Sequence, residues 1–267
     1  MIDFLGLGLV VTSLLMMVLW FVQKKTGDAG IVDVAWATLI GGLALGFVWW
    51  FDGYAPRQWL VGILSAIWAF RLAFHLLVDR VIKADEEDGR YQMLRESWGE
   101  NTQRNMFFFY QVQAFFVLVF VMPIVLAQLN TTEELGIWDG LGAGVWLIAV
   151  VGEMVADKQL ARWRRQPDNK GKTCRAGLWR YSRHPNYFFE WIHWWSYVLW
   201  SVGSDYFYLS FAGPVLMLFL LFRVTGIPYT EKRALASRGE DYRRYQEETS
   251  VFVPLPPKTS ASANASV

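Results

Sequence analysis

Apolar residues run almost unbroken through seven stretches of this chain, residues 3–23, 30–51, 58–78, 106–128, 137–156, 186–203 and 207–226. Each is close to the ~20 residues that cross a bilayer core. The pattern predicts an all-α, polytopic membrane protein of seven transmembrane helices. A short amphipathic helix follows over about 230–247, where TEKRALASRGEDYRRYQE sets small apolar and aromatic positions among charged ones. The first run carries its positive charges, Lys24 and Lys25, after the apolar segment instead of before it, so it reads as a retained span and not a cleaved leader.

Charge fixes an expected orientation. All 25 Lys and Arg except Arg57, Arg71 and Arg223 fall in connections on one side of the seven spans. The positive-inside rule then places the N-terminus outside and the C-terminus in the cytoplasm, in a membrane expected to be a bacterial inner membrane. Hydrophobic residues at 54 % and a net charge of +1 exclude a disordered chain and a nucleic-acid partner. One cysteine, Cys174, allows no internal disulfide. No phosphate loop, dinucleotide fingerprint, metal-ligand spacing or internal repeat is present, and no metal site is expected.

Depth along the predicted spans makes the polar residues one-sided. Asp33 and Trp36 open the second span, while Trp68, Arg71 and His75 lie toward the end of the third. Tyr110 and Gln111 open the fourth, Glu153 and Asp157 close the fifth, and Arg223 lies near the end of the last. In the sixth span Asn186, Glu190, His193 and Tyr197 recur at i, i+4, i+7 and i+11, one stripe of a helix. Interhelical ion pairs such as Arg71 with Asp33 or Arg223 with Glu190 would account for some of these groups. Ten or so together predict a cavity open to the cytoplasm, because ionisable groups inside a membrane are costly and are kept for function.

The densest chemistry lies in KGKTCRAGLWRYSRHPNYFFE, residues 170–190. Arg175, Arg180, Arg183 and His184 offer cationic or donor groups to phosphates, and Pro185 is placed to be a first helical residue with free N–H groups behind it. A basic cluster beside a span is also an ordinary positive-inside anchor. The polar stripe that follows, with the uncompensated Glu190, weighs against the anchor reading, and the basic segment itself suits an anionic cofactor.

These segments, with ADKQL, RRQPDNKG, TGIPYTEK, DYRRY and TSVFVPLPP, resemble the DUF1295 branch, known from bacteria, of the steroid 5-alpha-reductase superfamily, over about residues 28–257. The resemblance implies a single reductase-like membrane domain over 1–257, and the low-complexity composition after it reads as a disordered tail over 258–267. It further implies an NADPH-dependent oxidoreductase that reduces a carbon–carbon double bond conjugated to a carbonyl in a steroid-like or other lipophilic substrate entering from the bilayer. The family's cofactor positions fall on Asp157, Arg164, Arg175, Asn186, Glu190 and Arg223, and Tyr181, Arg183 and His184 of the same run join them. Its substrate end departs from the pattern, with Asp33 and Trp68 where the eukaryotic enzymes use Glu and Tyr. The expected catalytic groups are therefore Asp33, Trp68 and Tyr110, with His75 or water as other proton donors. Trp36, Arg71, His75, Gln111 and His193 are the expected substrate-binding residues. The RHPNYFFE run is also similar to that of isoprenylcysteine carboxyl methyltransferases and phospholipid methyltransferases, which implies S-adenosylmethionine as the alternative cofactor. A non-enzymatic carrier is the third reading.

Overall fold

The computed structural model describes residues 2–51, 53–84, 86–224 and 226–258. The expected tail falls, beyond Lys258, outside the described residues. Every regular element among them is helical: α1 Ile2–Thr26, α2 Ile31–Trp50, α3 Ala55–Leu77, α4 Gly89–Trp98, α5 Thr102–Gln128, α6 Ile137–Arg164, α7 Pro185–Trp200, α8 Phe207–Ser210, α9 Ala212–Arg223, α10 Ile227–Arg238 and α11 Glu240–Glu248. Among the described residues six helical segments are long and apolar enough to cross a membrane, and the chain is an integral membrane protein. The predicted sixth span is α7, whose 16 residues fall short of the ~20 that cross a bilayer core. At ~1.5 Å per residue it reaches about 24 Å.

The described residues form two compact units, one of residues 1–139 with 200–210 and one of residues 140–199 with 211 onward. In the first, α2 and α3 pack most extensively. Their buried faces are rich in small residues, Ala37, Gly41 and Ala44 on α2 against Gly62, Ala66, Ala69 and Ala73 on α3, which lets two helices approach closely where no hydrophobic effect drives them together. One end of this unit is organised by Arg57. It is 2 % exposed, forks onto both oxygens of the buried Asp139 at 2.7 and 3.0 Å, and donates to the carbonyls of Asn130, Thr132 and Glu134.

In the second unit the basic loop between α6 and α7 is tied down along its length. Trp179 Nε1 donates to Ala156 O at 2.9 Å, Ser182 Oγ to Phe252 O at 2.7 Å, and the Leu255 N–H to Tyr181 O at 3.0 Å. The loop turns at Gly177, where φ is +58° and an added Cβ would stand 2.4 Å from the Gln159 amide. Only glycine fits both constraints. Gln159 Oε1 in turn accepts from the Leu178 N–H at 2.8 Å. The single amphipathic helix expected over 230–247 is two helices, α10 and α11, because Gly239 between them takes φ +53° and stops the first.

A candidate nucleotide pocket

The second unit holds a cavity of about 450 Å³. Arg164 reaches it from the end of α6, His184 and Arg183 from the residues just before α7, and Arg233 and Arg238 from α10. Thr230 and Ser237 add hydroxyls, while Trp179, Tyr229 and Tyr242 add flat ring faces. No Asp or Glu is among its lining residues. A second cavity of about 260 Å³ shares Arg164, Cys174 and Arg238 with the first and adds Lys170 and Lys172.

The groups around these cavities are held by a network. Arg183 donates to Glu231 Oε1 at 2.7 Å and to the carbonyls of Gln246 and Thr249 at 2.9 and 2.7 Å. Gln246 Nε2 donates to the other Glu231 oxygen at 2.8 Å. His184, 2 % exposed, stacks on Tyr187 with ring planes 4° apart and has Nε2 3.3 Å from Glu231. Burial holds its imidazole below the ordinary pKa, with the Glu231 contact pulling the other way. His184 is thus a neutral hydrogen-bonding group in this setting and adds no positive charge. Burial likewise raises the Cys174 thiol, so the one cysteine is a poor nucleophile.

Arg175 lies under α11. It donates to Asp241 Oδ1 at 2.7 Å and to the Asp241 carbonyl at 2.9 Å, with its guanidinium over the Tyr245 ring. Burial opposes the Asp241 charge, but hydrogen bonds from Thr173 and Arg175 outweigh it and hold the carboxyl at about 2. Its folded pKa lies below the ordinary 3.8, so its stabilising contribution is present above that value and is lost as pH falls toward about 2. Acid titration of wild type against Asp241→Asn, followed by α-helical circular dichroism, is expected to show a shallower acid limb in the variant between those two values.

The remaining expected residues are placed as follows. Asn186 Nδ2 donates to Asp157 Oδ1 at 3.1 Å, joining α7 to α6. Glu190 accepts from Trp194 Nε1 at 3.1 Å, and His193 Nε2 lies 3.0 Å from the Tyr197 hydroxyl. Tyr181 is held through its backbone, and Arg223 ends α9 at an exposed position. Of the nine expected cofactor residues, Arg164, Arg183 and His184 line the first cavity. Several lining residues that the sequence does not single out by number are on α10, with Trp179 in the loop before α7 and Tyr242 on α11. Thr230, Arg233, Ala234, Ser237 and Arg238 recur at i, i+3, i+4, i+7 and i+8, a single helical face, so the signal was present in the periodicity.

In the first unit Asp33 pairs with Arg80 and, at 3.0 Å, with Arg90, rather than with Arg71 as the simplest pairing would have it. Asp88 completes the cluster, capping α4 through the Arg90 N–H at 2.9 Å. Trp68 and Tyr110 are fully buried, and the Tyr110 hydroxyl donates to Ala29 O at 3.3 Å, one turn before Asp33. Trp36 packs edge-on against Phe120, Gln111 donates to Ser13 O at 3.4 Å, and His75 is exposed.

A family model described as a protein of unknown function, DUF1295, matches residues 19–249. An uncharacterized protein of Schizosaccharomyces pombe, C594.04c, is 26 % identical over 282 residues, covering 92 % of this chain and 78 % of that protein. No solved structure matches the chain.

Proposed function

We propose a function from two premises: the chain belongs to the DUF1295 family of proteins of unknown function, and its second unit carries a cavity ringed by arginines with no acid among them. The proposed activity is that of an NADPH-dependent membrane oxidoreductase. It reduces a carbon–carbon double bond conjugated to a carbonyl in a lipophilic, steroid-like or other flat substrate that enters from the bilayer. The kinship to steroid 5-alpha-reductases rests on the motif positions around 157–190 and at Arg223.

The cavity carries this reading. A dinucleotide phosphate is a polyanion with two flat ring systems. Guanidiniums of Arg164, Arg233 and Arg238 suit its phosphates, and the faces of Trp179, Tyr229 and Tyr242 suit an adenine. Asn186 and Glu190, on one stripe of α7, have the donor and acceptor groups for a carboxamide. NADPH, when bound, supplies the hydride for the β carbon, and a proton from water or an acid completes the α carbon. Asp33 is clasped by Arg80 and Arg90. S-adenosylmethionine, a cation at sulfur, fits a four-arginine wall less well, which ranks the methyltransferase reading second.

The orientation belongs to the same proposal, with the N-terminus outside and the cavity facing a cytoplasmic NADPH pool, in a bacterial inner membrane. A reporter fused after Lys258 reads it directly. Thermal unfolding of the purified protein with NADPH, NADH or S-adenosylmethionine tests the cofactor. Binding at ~100 times Kd adds about 2.7 kcal/mol to the folded state. NADPH is expected to raise the melting temperature more than NADH does. A rise with S-adenosylmethionine and none with NADPH would move the assignment to the methyltransferase.

A further inference from the structure

One face of α6 is apolar and exposed along most of its length and then turns basic. Leu141, Leu147, Ile148, Val151 and Val155 are all exposed. At ~1.5 Å per residue they extend over about 21 Å, most of a ~30 Å hydrocarbon core. The same face continues at i, i+3, i+7 and i+10 from Val155 into Lys158, Arg162 and Arg165, each exposed. These three cations begin about 5 Å beyond the last exposed valine and end about 15 Å beyond it, the depth of a phosphate layer above the acyl chains. Val155, Lys158, Arg162 and Arg165 line a concave recess of about 700 Å³, with Gln159 and Gln166 as its neutral polar wall and no acid among its lining residues.

We propose that this recess is a binding site for an anionic phospholipid, with acyl chain along Val151 and Val155 and headgroup phosphate held by Lys158, Arg162 and Arg165. A solvated charged face would account for three exposed cations. It does not account for their confinement to the helical face that carries the lipid-facing apolar stripe, nor for the recess there. Charge complementarity selects the occupant, because a zwitterionic lipid brings a choline or ethanolamine cation to the same three positive groups, whereas phosphatidylglycerol brings a net negative charge. Arg165 also lines the smaller of the two basic cavities beside the candidate nucleotide pocket, so the lipid phosphate and that cavity share one guanidinium. The inference stands on α6 and the two residues that follow it and does not depend on the identity of the cofactor.

The test is a titration of the full-length protein in detergent with phosphatidylglycerol or phosphatidylcholine, with bound lipid read by native mass spectrometry. Wild type is expected to retain phosphatidylglycerol selectively. The Lys158→Gln/Arg162→Gln/Arg165→Gln variant is expected to lose on the order of 100-fold in that affinity, about 5-fold per cation removed, with phosphatidylcholine binding unchanged. If the triple variant does not fold, Lys158→Gln/Arg162→Gln replaces it, with an expected loss of about 25-fold by the same scaling. Equal retention of the two lipids by wild type, or unchanged phosphatidylglycerol binding in the folded variant, overturns the site. Displacement of the lipid by millimolar inorganic phosphate would also overturn it, by showing a simple anion site in which the acyl chains take no part.

Discussion

Replacing Arg57 by Ala is expected to lower unfolding stability by about 3–5 kcal/mol, the cost of stranding one member of a buried ion pair. The variant leaves the Asp139 carboxylate, 5 % exposed, without its two charge-assisted hydrogen bonds. It also removes the donors from the carbonyls of Asn130, Thr132 and Glu134, which close the connection between α5 and α6. Denaturant unfolding in a mild detergent measures the loss. Arg57→Leu combined with Asp139→Leu is expected to recover part of it, since no charge is then buried alone. A loss below about 1 kcal/mol for Arg57→Ala would place the pair in the class of solvent-screened surface bridges.

Arg57 also shows where sequence reading stops. Counting charges marked it as the lone cation on its side of the membrane, and nothing local names its partner, which lies 82 residues away. Six of the seven predicted spans were legible because lipid demands long apolar runs with every backbone group bonded internally. The length of the sixth was not, because apolar residues continue past Trp200 into a turn with Gly203 at φ +89°. Arg183 and His184 could be singled out as candidate phosphate donors from their chemistry and their place between two spans, and Arg164 from its position in the family motif. Arg233 and Arg238 could not, because the periodicity of α10 shows that they share a face but not what that face meets. Asp33 was legible as a costly intramembrane carboxylate. Its partners Arg80 and Arg90 lie in the connection after the third span, where the sequence shows only two of many cations on that side, although the π-helical turn at Val78–Ile82 and the start of α4 bring both back to it.

Arg164→Ala and Arg238→Ala are each expected to weaken NADPH binding by about 10- to 100-fold, the equivalent of one charge-assisted hydrogen bond of ~1.5–3 kcal/mol. Both arginines line both basic cavities, and Arg238 is the sharper probe because its guanidinium lies over the Tyr242 ring at 5.7 Å. Arg238→Lys keeps the charge and gives up the planar fork, so its loss should be intermediate, and raising the salt concentration should weaken wild type more than either Ala variant. Asp33→Asn provides the contrast. It keeps the shape of a side chain clasped by Arg80 and Arg90 while removing the charge, and it is expected to lower turnover with NADPH affinity within about 2-fold of wild type, a change of ~0.4 kcal/mol. Fluorescence titration with NADPH and single-turnover oxidation of bound NADPH separate the two quantities. If Asp33→Asn loses as much NADPH affinity as Arg164→Ala, the assignment of nucleotide binding to the second unit is wrong. If neither arginine variant binds NADPH more weakly, the arginine-lined cavity is not the cofactor site.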